Sequence, residues 1–128
     1  MPERYAALLL VGAGGFVGAA ARFLVALVLP FIGTGFPFGT LAVNLAGCFL
    51  IGFISELSVS SSLVSPELRL LIATGFCGGF TTFSSYMYEI MSLLRDGEIF
   101  YSTLYLLGSI VGGILCLYFG MQLAKLWA

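Results

Sequence analysis

The segment GFCGGFTTFSSY, residues 75 to 86, places the hydroxyls of Thr81, Thr82, Ser84 and Ser85 among aromatic residues, just after Gly78 and Gly79. Hydroxyls donate and accept hydrogen bonds without carrying charge, so this chemistry suits an ion that has left water. Phe83 and Tyr86 are three residues apart and share one face of a helix; Ser85 and Glu89, four apart, share another. Upstream, Thr40, Asn44 and Gly47 fall on one helical face. The Asn44 amide offers two N–H donors, which suit an anion. An Asn inside an apolar helix equally serves to bond a neighbouring helix. Downstream, Tyr105 and Ser109 form another i, i+4 pair that could extend a polar track. The sequence has no histidine, no evident nucleophile–base pair and no Cys/His cluster of the kind that holds zinc or haem.

The elements that carry these residues belong to a chain of 128 residues that is 60% apolar and 9% charged, with a mean hydropathy of +1.11. An ordinary soluble domain carries about 25% charged residues. Apolar stretches can be drawn at residues 5–29, 39–57, 68–94 and 100–126. Each is about long enough to cross a hydrocarbon core of ~30 Å as a helix. The expectation is an all-α membrane protein, residues 1–128 forming a single four-helix transmembrane domain with short connections, one of them around Gly33. Arg4, the following apolar run and Ala19, Ala20 and Ala21 resemble a secretory signal peptide. The run continues past Arg22 to Leu29, longer than a signal core, which favours a retained first helix.

Gly78 and Gly79 are expected to break the third helix. Such a break at membrane depth is tolerated only inside protein or along a cavity. It frees carbonyls at the end of the first half, which suit a small cation, and N–H groups at the start of the second, which Ser or Thr can cap. Glu89 is the one acid well inside an apolar stretch. A charge at the bilayer centre costs ~3 kcal/mol, so Glu89 should face water or a partner. Gly14 with Gly18, and Gly108 with Gly112, are GxxxG pairs that let helices approach closely and associate. Val17 occupies the third glycine position of a dinucleotide loop and no strand precedes it, so a nucleotide reading fails. Arg22 either snorkels to the headgroups or gives an aqueous vestibule a positive potential. Cys48, Cys77 and Cys116 lie in apolar stretches and read as small hydrophobes rather than a disulfide set.

With alternating helices, Arg4, Arg69 and Lys125 fall near one face and Arg22 and Arg95 nearer the other. The Lys/Arg bias that sets orientation is therefore almost absent. Either this small bias suffices, or the chain inserts both ways up and can form an antiparallel two-fold dimer.

GTLAVNLAGCFLIG, residues 39–52, and GFCGGFTTFSSYMYE, residues 75–89, resemble the signature segments of the small bacterial fluoride channels of the Fluc or CrcB family. The similarity covers nearly the whole chain, including the first-helix arginine and the glutamate after the break. The resemblance implies an antiparallel, dual-topology homodimer with two separate pores. Its function would be passive, selective export of fluoride across the cytoplasmic membrane, relieving fluoride toxicity. It implies a structural sodium ion at the dimer interface, held by the backbone carbonyls of Gly78 and Thr81. Phe83 and Tyr86 would line the pore as paired aromatics, the second more often phenylalanine in this family. Asn44 would be the pore asparagine, and Arg22 would lie in the vestibule. Thr40, Ser84, Ser85, Glu89, Tyr105 and Ser109 would map near the polar route. Gly113 stands where such proteins often have serine, which shortens that route.

Fluoride is small and tightly hydrated, so neutral donors and positively polarised ring edges must offset its dehydration. The implied partners are fluoride, the lipid bilayer and a second copy of the chain; nothing suggests nucleic acid. The alternative is a small dual-topology multidrug/proton exchanger, a class with an essential glutamate in helix 1. Here the first apolar stretch has no acid after Glu3. A purely structural membrane subunit would explain the glycines but not the hydroxyl–aromatic segment.

Overall fold

The computed structural model describes residues 2–30 and 35–127. Gly33, in the first connection, lies outside the described residues. Helix α1 covers Pro2–Val28 and α2 covers Phe38–Ser60. A single turn, α3 (Pro66–Arg69), leads into a π-helical stretch (Leu70–Cys77) and a short α4 (Gly78–Phe80). After a break come α5 (Ser84–Arg95), α6 (Ile99–Ala124) and a 3-10 turn (Lys125–Trp127). All regular elements among the described residues are helical. Glu3–Val28, Phe38–Ser60 and Ile99–Trp127 are each long and apolar enough to cross a membrane.

Local chemistry sets the ends of the third segment. Ser65 caps α3, its hydroxyl accepting from the Leu68 N–H at 3.1 Å, and Pro66 sits where a missing N–H costs nothing. At the far end, Gly97 adopts φ +77°. The Glu98 N–H then reaches the Leu93 carbonyl at 2.8 Å and the Gly97 N–H reaches Leu94 at 3.1 Å. This pair of bonds satisfies carbonyls that the end of α5 would otherwise leave open.

The expected break is present but displaced. Gly78 and Gly79 remain helical, and the chain leaves the helix at Thr81, whose φ −88° and ψ 161° are extended. Gly79 has a packing role instead, because a Cβ there would collide with the Gly15 carbonyl. The GxxxG pair of α1 also works within the chain. A Cβ at Gly14 would strike the Leu71 carbonyl, and one at Gly18 the Phe76 carbonyl. Helix α1 thus lies directly against the π-helical stretch, whose Gly75 meets the α1 backbone in turn.

Helices α2 and α6 pack by the same device at different residues from those expected. Gly52 meets the Leu117 carbonyl and Gly120 the Phe49 carbonyl, each too closely for a Cβ. Gly112 contacts Leu45, but Gly108 faces open space, so the second GxxxG pair is only half used. One buried cluster is largely aromatic: Phe36, Tyr86, Leu93 and Tyr105, with Leu41, Met87 and Ile90 packed on it; Val43, Ile54, Leu57, Ala73, Cys77 and Ala124 are buried outside it. Large apolar side chains such as Phe16, Leu24, Leu107, Ile114 and Phe119 point outward. That inversion suits a chain whose solvent is lipid.

Candidate functional site

The break is held by side chains that capture its backbone groups. The Thr82 N–H donates to Asn44 Oδ1 at 2.8 Å, and Asn44 Nδ2 donates to the Thr82 carbonyl at 3.1 Å. In an unbroken helix that N–H would bond the Gly78 carbonyl. Likewise, the Ser85 N–H, which a helix would give to Thr81, donates to Thr82 Oγ1 at 3.2 Å. The carbonyls of Gly78 and Thr81 therefore lose their helical donors to Asn44 and Thr82. Other groups are tied down: Cys77 accepts from both the N–H and the hydroxyl of Thr81, and Gly79 accepts from Arg22 Nε at 2.9 Å. Arg22 thus has a role beyond snorkelling or setting a potential, because it clamps α1 to the carbonyl end of α4.

A cavity of about 450 Å³ opens beside the break. Gly78, Thr81, Phe83, Tyr86, Asn44 and Ser109 all line it, with Thr82, Gly47, Cys48 and Cys77. Its wall is mostly apolar, with Ile51, Ala73, Ile110 and the aromatic rings surrounding a few neutral donors and backbone groups. The Ser109 hydroxyl is buried and has no hydrogen-bond partner among the described residues. Such an orphan costs about 1–3 kcal/mol, a cost that a ligand's acceptor would remove. Gly113 follows one turn later, and its missing Cβ leaves room for Cys48, whose Sγ would lie 3.3 Å from it.

Glu89 faces partners, as its cost in lipid demands. Its carboxylate accepts from Thr40 Oγ1 at 2.8 Å and from the Tyr105 hydroxyl at 2.7 Å, joining α2, α5 and α6. These residues form a second polar cluster outside the cavity lining. The Tyr105 ring links the two clusters, meeting Tyr86 edge-on with centroids 5.0 Å apart. Tyr86 in turn meets Phe83 at 6.2 Å, again edge to face. Tyr86 is buried, whereas Phe83 is 72% exposed. The Tyr86 hydroxyl points away from any anion role, donating to the Leu106 carbonyl at 2.7 Å.

The face that spacing along α2 predicts is turned toward the break and α5. Thr40 reaches Glu89, Asn44 reaches Thr82, and Gly47 lies against the Thr81 methyl. Neither Ser84, exposed at the start of α5, nor Ser85 lines the cavity. Thr82 is the residue that spacing undervalues. It was one hydroxyl among several, yet it both pairs with Asn44 and caps α5. The available signal is a threonine just before the start of α5, where Ser and Thr hydroxyls reach the first free N–H groups.

These features define a class: an all-α membrane protein whose polar site is built on a broken helix, with neutral groups facing a cavity. Within that class, the chain belongs to the CrcB family, whose model, described as CrcB-like protein, Camphor Resistance (CrcB), matches residues 9–121. It is 98% identical over the full length of both chains to a protein of Chlorobium phaeobacteroides (strain BS1) named fluoride-specific ion channel FluC. A protein of that name from Prosthecochloris aestuarii is 66% identical, again over all of both chains. Another, from Methanocaldococcus jannaschii, is 44% identical over 91% of this chain and 93% of its own.

Proposed function

We propose that this chain is a passive, fluoride-selective channel that exports fluoride across the cytoplasmic membrane and so relieves its toxicity. The observation that carries the reading is the cavity where Asn44, Ser109, Phe83 and Tyr86 converge beside the break. Fluoride entering it exchanges water for amide and hydroxyl donors and for the positive edges of rings. None of the cavity-lining residues is basic, so nothing there holds the anion too tightly to leave. The names of the family relatives support the same substrate. Conduction of this kind breaks no bond and calls for no catalytic group.

The pieces from Pro66 to Arg95 together act as the discontinuous third of four spans, and residues 1–128 work as one transmembrane domain. Gly78 is exposed, and Phe83 stands largely uncovered next to unsatisfied backbone. Such backbone is not viable against lipid. A second, inverted copy covers this face in an antiparallel dual-topology dimer, consistent with the near absence of Lys/Arg bias.

Neutral carbonyls at the end of a half-helix fit a hard cation such as sodium. Gly78 and Thr81 would hold it with the same pair from the second copy, where it would supply structural positive charge. Fluoride efflux from liposomes containing only this protein tests the reading. The expected result is fluoride release with chloride retained. Absence of release, or proton-coupled uptake of a cationic drug in its place, would overturn it in favour of an exchanger.

A further inference from the structure

The Asn44–Thr82 pair does more than join two helices. Its Oδ1 holds the Thr82 N–H, the one donor that could close the next helical turn onto the Gly78 carbonyl. The same N–H shares a peptide plane with the Thr81 carbonyl. Among the described residues every peptide bond is trans, and in a trans plane the N–H and C=O point in opposite directions. Drawing the N–H toward Asn44 on α2 therefore aims the Thr81 carbonyl away from α2. Meanwhile Gly78 is exposed, and a Cβ there would meet nothing within 4 Å. One side-chain oxygen thus frees one carbonyl and orients the other.

We infer that Asn44 is a positioning residue for the cation cradle of Gly78 and Thr81, acting through the Thr82 N–H. This rests on the channel reading above only in taking sodium as the cradle's occupant. Asn44 borders the anion cavity as well, so one residue couples the cation's seat to the anion's path. Its acceptor serves the cradle. Of its two amide hydrogens, one bonds the Thr82 carbonyl and the other remains for the cavity.

The two roles separate by substitution. Asn44→Ala removes the acceptor, so the Thr82 N–H is free to close onto Gly78. Asn44→Asp keeps an acceptor for that N–H but replaces the neutral amide with an acid. The measurement is thermal unfolding of the purified protein against sodium concentration, with a large organic cation holding ionic strength constant. A bound ion stabilises the folded state by mass action, so the midpoint reports its affinity. Asn44→Ala is expected to raise the half-saturating sodium concentration about ten-fold or more, while Asn44→Asp stays within about three-fold of the parent.

A parental sodium response in Asn44→Ala overturns the inference. Equal loss in both variants also overturns it, assigning the effect to packing in general. Should Asn44→Ala not fold, Asn44→Leu, close to asparagine in volume but without an acceptor, gives a second reading. It should raise the half-saturating sodium concentration as Asn44→Ala does, and a parental sodium response in it would overturn the inference. A parent insensitive to sodium overturns it as well, while parent fluoride efflux, measured separately, reports on the channel reading alone.

Discussion

At the scale of single residues, Tyr86 is the informative position. Its ring lies edge-on to Phe83 and Tyr105, while its hydroxyl is spent on the Leu106 carbonyl. If the ring edge is what meets the anion, Tyr86→Phe should conduct fluoride at close to the parent rate. It should lose about 1 kcal/mol of stability with the hydrogen bond. Tyr86→Ile and Phe83→Ile keep apolar bulk but remove the ring quadrupole, so both should conduct much less. Liposome efflux on protein that still runs as a dimer is the check. Equal, unimpaired flux in all of them would reduce the aromatics to packing. Ser109 gives the opposite pattern. Its hydroxyl is buried without a partner among the described residues, so Ser109→Ala should be neutral or stabilising in thermal unfolding while lowering flux. Reduced stability with unchanged flux would make it a structural hydroxyl.

At the scale of elements, glycine identity matters where backbones touch and not elsewhere. Gly14→Ala, Gly18→Ala and Gly79→Ala each force a methyl group into a backbone carbonyl of the neighbouring segment. Overpacking of this kind costs about 1–3 kcal/mol or more, because backbone cannot step aside as a side chain does. Gly108→Ala meets no atom within 4 Å and should instead gain up to ~1 kcal/mol from helix propensity. Thermal midpoints of the four variants in one detergent would test the contrast. Similar effects throughout would mean that the α1 contact is looser than these distances indicate. The same geometry explains the displaced break. Glycine alone does not end a helix when its neighbours supply packing, whereas diverting the Thr82 N–H removes the next bond outright.

At the scale of the whole molecule, the uncovered face at Gly78 separates folding of one chain from its assembly. Gly78 has helical φ −61° and ψ −38°, so alanine fits its backbone, and nothing in its own chain is within 4 Å of the added methyl. Gly78→Ala should therefore leave helical content intact and shift the monomer–dimer equilibrium toward monomer. Fluorescence exchange between labelled copies would report this, and parental dimer affinity would argue against pairing through that face. Orientation has its own test. Asp96→Cys in a background lacking Cys48, Cys77 and Cys116 puts a label on an exposed turn. Intact cells should show both accessible and protected populations, and added lysines in one loop should shift the ratio. A single population would mean that the weak charge bias is enough.

What the sequence determined alone was whatever depends on residues near one another. Three long helices follow from apolar content. The shared face of α2 follows from spacing, because Thr40, Asn44 and Gly47 must lie on one side of any helix. Family membership was legible in two short segments for the same reason, since their residue order is itself the signal. Tertiary structure decided where each polar group finds its partner. The Tyr86 hydroxyl reaches a carbonyl of α6, and the GxxxG pair of α1 docks within its own chain. The break falls at Thr81 because Asn44, distant in sequence, takes a backbone donor that glycine content alone would have left in the helix. Propensity and hydropathy add up along the chain, but a hydrogen bond is made by whichever donor and acceptor packing brings within 3 Å of each other.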